Sequence, residues 1–109
     1  MKNKANINFK DSLERVYAII NMHVEKKPII IVRKMKARLG SADKSKNSIV
    51  LNYDLIKAPK YCIDYVILHE LTHFIHKNHN KEFYEFLTVI MPDWNKRKEI
   101  LEGEIIRHI

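Results

Sequence analysis

The sequence predicts an α+β fold, a small and mainly antiparallel sheet packed on three or four helices. Three observations carry this reading. Apolar residues recur at helical spacing in the first, central and later parts of the chain. Two short runs rich in branched residues, Ile29-Ile30-Ile31-Val32 and Ser48-Ile49-Val50-Leu51-Asn52-Tyr53, fall between the first two of these helical segments. The chain has 109 residues, 46% of them hydrophobic. That is enough for one modest core and argues against disorder, so a single domain over residues 1–109 is expected.

Residues 1–10 are polar and lysine-bearing and lack the apolar centre of a signal peptide. Asp11-Ser12-Leu13-Glu14 has the form of a capping box, and Leu13, Val16, Tyr17 and Ile20 follow it at helical spacing. A first helix over residues 12–23 is therefore predicted. Pro28 separates it from the first strand, at 29–32. Residues 36–47 are polar, contain Gly40-Ser41, and read as a turn or loop. The second strand, 48–53, precedes Ala58-Pro59, a helix start signal. The helix that follows, 61–75, is apolar over most of its circumference and should be central and buried. Lys77-Asn78-His79-Asn80 breaks it, since Asn tolerates the left-handed conformation that ends helices. Asn80 then caps a helix at 81–91. A last short helix runs over about 93–102, with Trp94, Arg97 and Leu101 on one face and Gly103 as its stop. There are no repeats or low-complexity tracts.

The central helix carries His69-Glu70-Leu71-Thr72-His73, an HExxH motif. Positions i and i+4 share a helix face, so His69 and His73 can grip one metal ion from the same side. Glu70 projects beside them, within reach of a metal-activated water. In a chain of this composition the motif arises by chance roughly two times in a hundred. Burying two imidazoles and a carboxylate without partners is costly, and a metal ion satisfies all three.

The third ligand is open to more than one reading. His76 shares the face of His69 and His73 but lies about 10.5 Å along the axis from His69. Bonds of about 2.1 Å to one zinc ion cannot span that. His79, past the Asn78 break, is favoured. Glu82 and Glu85 on the following helix are the alternatives, because a glutamate also completes a two-histidine site. Three protein ligands leave a fourth position for water, the catalytic form of a zinc site. Cys62, the one cysteine, lies outside any CxxC pattern, which argues against a structural zinc cluster and excludes an intrachain disulfide.

The run Asp64-Tyr65-Val66-Ile67-Leu68-His69-Glu70-Leu71-Thr72-His73, then Asn78-His79 and Phe83, resembles the YgjP-like and SprT-like metallopeptidases. Pro92-Asp93-Trp94, Leu39-Gly40-Ser41 and Ile49-Val50-Leu51-Asn52 are similar to further parts of the YgjP-like pattern. The resemblance covers roughly residues 33–97. Leu39 and Ala42 stand where that pattern usually has tryptophan and cysteine. The chain is similar in size to minimal single-domain peptidases, the minigluzincins and selecase among them. The resemblance implies a zincin-like fold and a zinc-dependent endopeptidase. His69, His73 and His79 would bind zinc and Glu70 would be the general base. Gluzincins take a glutamate as third ligand, which keeps Glu82 and Glu85 open.

For such an enzyme the expected partner is a peptide or protein substrate, laid as an extended strand on a sheet edge, with Ser48–Asn52 as the candidate edge. Tyr53, Tyr61, Tyr84 and His76 are the candidate donors to the oxyanion. The tail, residues 104–109, carries three isoleucines and His108. It can dock on the core or on another copy, so self-inhibition by His108 and homo-oligomerisation are both expected as testable behaviours.

The net charge is +7, from 20 basic and 13 acidic residues. This permits nucleic-acid binding without demanding it. The densest basic stretch, Arg33 to Arg38 continued by Lys44 and Lys46, has few aromatics nearby for base stacking. No apolar run reaches bilayer length, so no membrane partner is expected and a cytoplasmic location is the simplest reading. Two rivals remain beside the peptidase: a nucleic-acid-associated SprT-like protease, and a non-catalytic interaction module stabilised by zinc.

Overall fold

Strand β3 (Ser48–Asn52) lies at the centre of a three-stranded sheet, with β1 (Ile29–Arg33) on one side and β2 (Gly40–Asp43) on the other. The computed structural model describes residues 2–104, with side chains from 6 to 103. The helices are α1 (Lys2–Ile20), α2 (Lys60–Thr72), α3 (Lys81–Ile90) and α4 (Trp94–Glu104), and a 3-10 helix (Tyr53–Lys57) links β3 to α2. The α+β class holds. None of the helices among the described residues is long and apolar enough to cross a membrane.

The sheet is mixed rather than mainly antiparallel. Strand β2 pairs antiparallel with β3, and β1 pairs parallel with it, from Ile29 opposite Ser48 to Arg33 opposite Asn52. The cause is local. Residues 44–47 close a tight hairpin in which Asn47 N–H donates to the Lys44 carbonyl and Asn47 takes a φ of 49°. Asn tolerates that left-handed conformation. The hairpin occupies one edge of β3, and β1 takes the other. Strand β2 falls within the polar segment 36–47 predicted as turn or loop, and Gly40-Ser41-Ala42-Asp43 has no branched or aromatic residue. Pairing with β3 supplies what propensity lacks. The same pairing overturns Ser48–Asn52 as the edge for substrate: β3 is bonded on both sides.

Buried Asn52 fixes the crossover from β1 to β2. Its side-chain amide donates to the carbonyls of Met35 (3.0 Å) and Arg38 (2.8 Å), and its Oδ1 accepts from Asp54 N–H (3.0 Å). Its own N–H donates to the Leu39 carbonyl at 2.9 Å. One residue therefore satisfies the carbonyls of Met35, Arg38 and Leu39 and anchors the segment that leads into β2.

Helix α1 starts at Lys2, not at the predicted Asp11-Ser12 cap. Phe9 is fully buried and begins the apolar stripe that Leu13, Val16 and Ile20 continue. Ser12 faces inward, where its hydroxyl donates to Asp64 on α2, and Arg15 pairs with the same carboxylate at 2.9 Å. Helix α2 is central as predicted. Cys62, Ile63, Tyr65, Val66, Ile67, Leu68, Leu71 and Thr72 are buried on it. It begins one residue after Pro59 and ends at Thr72 rather than at the predicted residue 75, and the break uses no left-handed Asn among residues 77–80. The next three residues tighten into i to i−3 bonds, His73 to Glu70, Phe74 to Leu71 and Ile75 to Thr72. Asn80 caps α3 as expected, its side chain accepting from Phe83 N–H at 3.1 Å. Helix α4 runs through Gly103, which does not stop it.

Asn52→Ala is expected to cost about 2–3 kcal/mol, because the Met35 and Arg38 carbonyls lose their donor. Lys46→Ala, on the exposed hairpin, should cost less than about 0.5 kcal/mol. Urea unfolding of the two variants beside the parent checks both.

Candidate metal centre

Helix α2 sets His69 and His73 one turn apart, with ring centroids 5.1 Å apart. The α2–α3 turn then brings His79 to the same place. Its Nε2 lies 3.1 Å from Nε2 of His69, and the three rings each offer a nitrogen within 4.8 Å of the others. Two ligands on a tetrahedral zinc with bonds of about 2.1 Å stand roughly 3.3 Å apart, so this spacing fits one ion. The chemistry of the set fits as well. In the absence of a metal, a contact between two Nε2 atoms requires a proton on one of them. With a metal, both are acceptors.

Two features hold the rings. The Lys77 carbonyl lies 3.0 Å from Nδ1 of His73, which fixes a tautomer with a free Nε2. Phe83, fully buried on α3, lies under all three imidazoles, with centroids 5.0, 4.8 and 4.9 Å from those of His69, His73 and His79. The Asn80 cap sets the start of α3 and so sets Phe83. Nδ1 of His69 is buried with no partner among the described residues.

Burial pushes His69 down to about 4, with His73 and His79 adding to the effect, and burial also lowers His73. Both rings are therefore neutral at pH 7, the form in which imidazole binds a metal. Glu70 is 7% exposed, and burial pushes its carboxyl up to about 7 while Arg38 opposes the shift. A base whose pKa sits near the working pH is suited to take and return a proton. Gly40 makes room for it. A Cβ there would sit 3.1 Å from the Val50 carbonyl and 3.3 Å from Oε2 of Glu70.

The histidines and Glu70 stand in a cleft of two parts. The larger, about 540 Å³, is walled by Arg38, Ala42, Lys44, Phe74 and Lys77 beside Glu70 and His73. The smaller, about 320 Å³, is walled by Leu39, Gly40, Tyr65, Val66, Leu101 and the Lys98–Glu102 pair. Arg38, Glu70, His73 and His79 border both.

Of the predicted site residues, His69, Glu70, His73 and His79 come together. Glu82 and Glu85 do not. Both are exposed on α3, and Glu85 pairs with Lys81 at 4.0 Å. His76 turns to Phe86, 6.0 Å away, outside the cluster. Tyr61 lies under Arg97, Tyr53 lines a separate hollow with Ala58 and Pro59, and the Tyr84 ring is 6.2 Å from that of His79. Tyr65 is not among the predicted site residues. Its ring is 5.9 Å from that of His69 and it lines the cleft, and burial pushes its phenol up to about 12. Arg38 and Gly40 were likewise not read as site residues. A helix wheel shows what shares a helix face, whereas these two reach the site through a crossover and a strand. His108 and the tail beyond residue 104 lie outside the described residues.

Over residues 1–104 the sequence matches the family described as "YgjP-like, metallopeptidase domain". Solved structures share the fold, two metallopeptidase zymogens among them. One is the metallopeptidase zymogen of Pyrococcus abyssi abylysin (TM-score 0.73, 20% identity, 87% of this chain and 90% of that chain). The other is the metallopeptidase zymogen of Methanocaldococcus jannaschii jannalysin (TM-score 0.73, 22% identity, 88% and 89%). Among curated proteins none matches.

The buried acid has a cost that stability can read. Glu70 has a folded pKa above its unfolded value, so the metal-free protein loses stability as pH rises from about 4.5 through about 7. Glu70→Gln has no such loss. Without metal, the variant is expected to melt several degrees above the parent at pH 8, the burial of the ion being worth on the order of 2–3 kcal/mol. The gap should close by pH 4.5. Thermal denaturation in the presence of a chelator measures both.

Proposed function

The chain belongs to the YgjP-like metallopeptidase family, and from that premise we propose that it is a zinc-dependent endopeptidase whose ion is held by His69, His73 and His79. The observation that carries this reading is the convergence of three imidazoles on α2 and the α2–α3 turn, with Glu70 at their side. A zinc ion bound there would acidify water and polarise the scissile carbonyl.

The chain's own residues do the rest. Glu70 accepts the proton of the attacking water and returns it to the leaving amine. Gly40 lets that carboxylate stand against β2, and Arg38 biases it towards the ionised form a base requires. Phe83 holds the three rings in place. Peptides and proteins are the substrates of a metallopeptidase. An extended one is best placed along the outer edge of β2, which is unpaired in the sheet order and borders the cleft through Gly40 and Ala42.

A regulatory reading is favoured by the two structural neighbours, each described as a zymogen. The device proposed for this chain is the segment 104–109, with His108 as the group able to block the centre. Its removal should raise activity at every protein concentration if the block is internal, and chiefly at high concentration if it acts between copies. Unchanged activity and unchanged size would remove the idea.

The central test is catalytic. Glu70→Gln should retain zinc yet lose about 10²–10⁴-fold in peptide cleavage. The parent should lose activity to a chelator and regain it with zinc. A Gln variant that cleaves peptides at the parent's rate would contradict the assignment.

A further inference from the structure

We propose that this peptidase selects peptides bearing acidic side chains on one side of the scissile bond, through Arg38, Lys44 and Lys77. The inference rests on the endopeptidase reading and adds a substrate class to it. The larger part of the cleft has three cations on its walls and one acid, Glu70, which is buried and belongs to the reaction.

None of the three cations has an ion-pair partner among the described residues. Several cations elsewhere are paired: Arg15 with Asp64, Lys27 with Glu14, Lys34 and Lys57 with Asp54, Arg97 with Asp93. Three cations without an ion pair thus line the larger part of the cleft, where substrate must pass. A neighbouring hollow adjoins at Lys44 and Phe74, where Lys26 and Glu25 stand side by side, so the excess of positive charge belongs to the cleft itself.

The other part of the cleft differs. Its one lysine, Lys98, is paired with Glu102, and Leu39, Tyr65, Val66 and Leu101 form its walls. Arg38 stands at the border of both parts, whereas Lys44 and Lys77 line the larger one alone, so a peptide crossing the three histidines meets two further unpaired cations on one side and a mainly apolar wall on the other. Like-signed groups in a concave site reinforce one another's field and raise the local concentration of the opposite charge. Each solvent-exposed pair contributes modestly, and salt screens it. Two acidic residues on the right side should together raise kcat/KM about tenfold at low ionic strength.

The test uses the zinc-loaded full chain and pairs of fluorogenic peptides of identical sequence, with two glutamates or two glutamines on one side of the cleaved bond. The acidic member should be cleaved about tenfold faster from one side only, and the ratio should shrink towards unity by about 0.5 M salt. Lys44→Glu should lower that ratio at least threefold. A ratio near one, or one that Lys44→Glu leaves unchanged, overturns the proposal while leaving the endopeptidase reading intact. Failure to cleave either peptide counts against the endopeptidase reading instead. In that case, binding of the same labelled peptides to zinc-loaded Glu70→Gln decides: equal affinity overturns the acid preference. Displacement of the acidic peptide by a short DNA duplex at a lower charge concentration than by polyglutamate would also overturn it, in favour of a nucleic-acid site.

Discussion

Two histidines on one helix can hold an ion from one side only, so the rest of this structure depends on how the chain reverses between Thr72 and Lys81. Helix α2 stops with three i to i−3 bonds, His73 turns its Nδ1 to the Lys77 carbonyl, and Asn80 starts α3 with its own side chain. Those steps deliver His79 within 3.1 Å of His69. They also drive Phe83 under the three rings, where its burial couples the centre to the core. A small change in that turn would move a ligand and the residue that supports it together.

The second constraint is electrostatic. A neutral His69 suits a metal ligand, and burial of that ring and of the Glu70 carboxyl, which burial pushes up to about 7, is costly for a domain of this size. The core around α2 offsets them: Ile49 and Leu51 from the sheet, Phe9, Leu13 and Val16 from α1, and Leu101 from α4 are all buried around it. Arg38 opposes the rise at Glu70 from the opposite wall of the cleft. Its position is set by Asn52, through the carbonyl of Arg38 itself. The sheet thus contributes to the chemistry although it supplies none of the three imidazoles.

Local chemistry made half of this legible in advance. HExxH, the apolar circumference of α2 and the Asn80 cap are signals that neighbours in sequence complete among themselves, whereas the helix ends earlier than predicted, at Thr72, and without a left-handed Asn78 or Asn80. What depends on distant partners was not legible. Strand β2 exists because β3 pairs with it. The parallel β1 follows from the hairpin's claim on β3, and Ser12 looks like a cap until Asp64 is seen to receive it. Gly103 continues a helix although it is a helix breaker by type. At the site, the same division separates His69, Glu70, His73 and His79 from Gly40, Arg38 and Tyr65. The first group lies on one helix and its turn, and the second is assembled by a crossover and by packing.

The claim on which all else rests is that His79, and not an acidic residue of α3, completes the centre. Zinc content after equilibrium dialysis against a competing chelator tests it, using the parent with His79→Ala, Glu82→Ala and Glu85→Ala. The account predicts one bound zinc in the parent and in both glutamate variants, and its loss in His79→Ala at the same chelator concentration. Full zinc retention by His79→Ala, or loss in Glu82→Ala or Glu85→Ala, would contradict it.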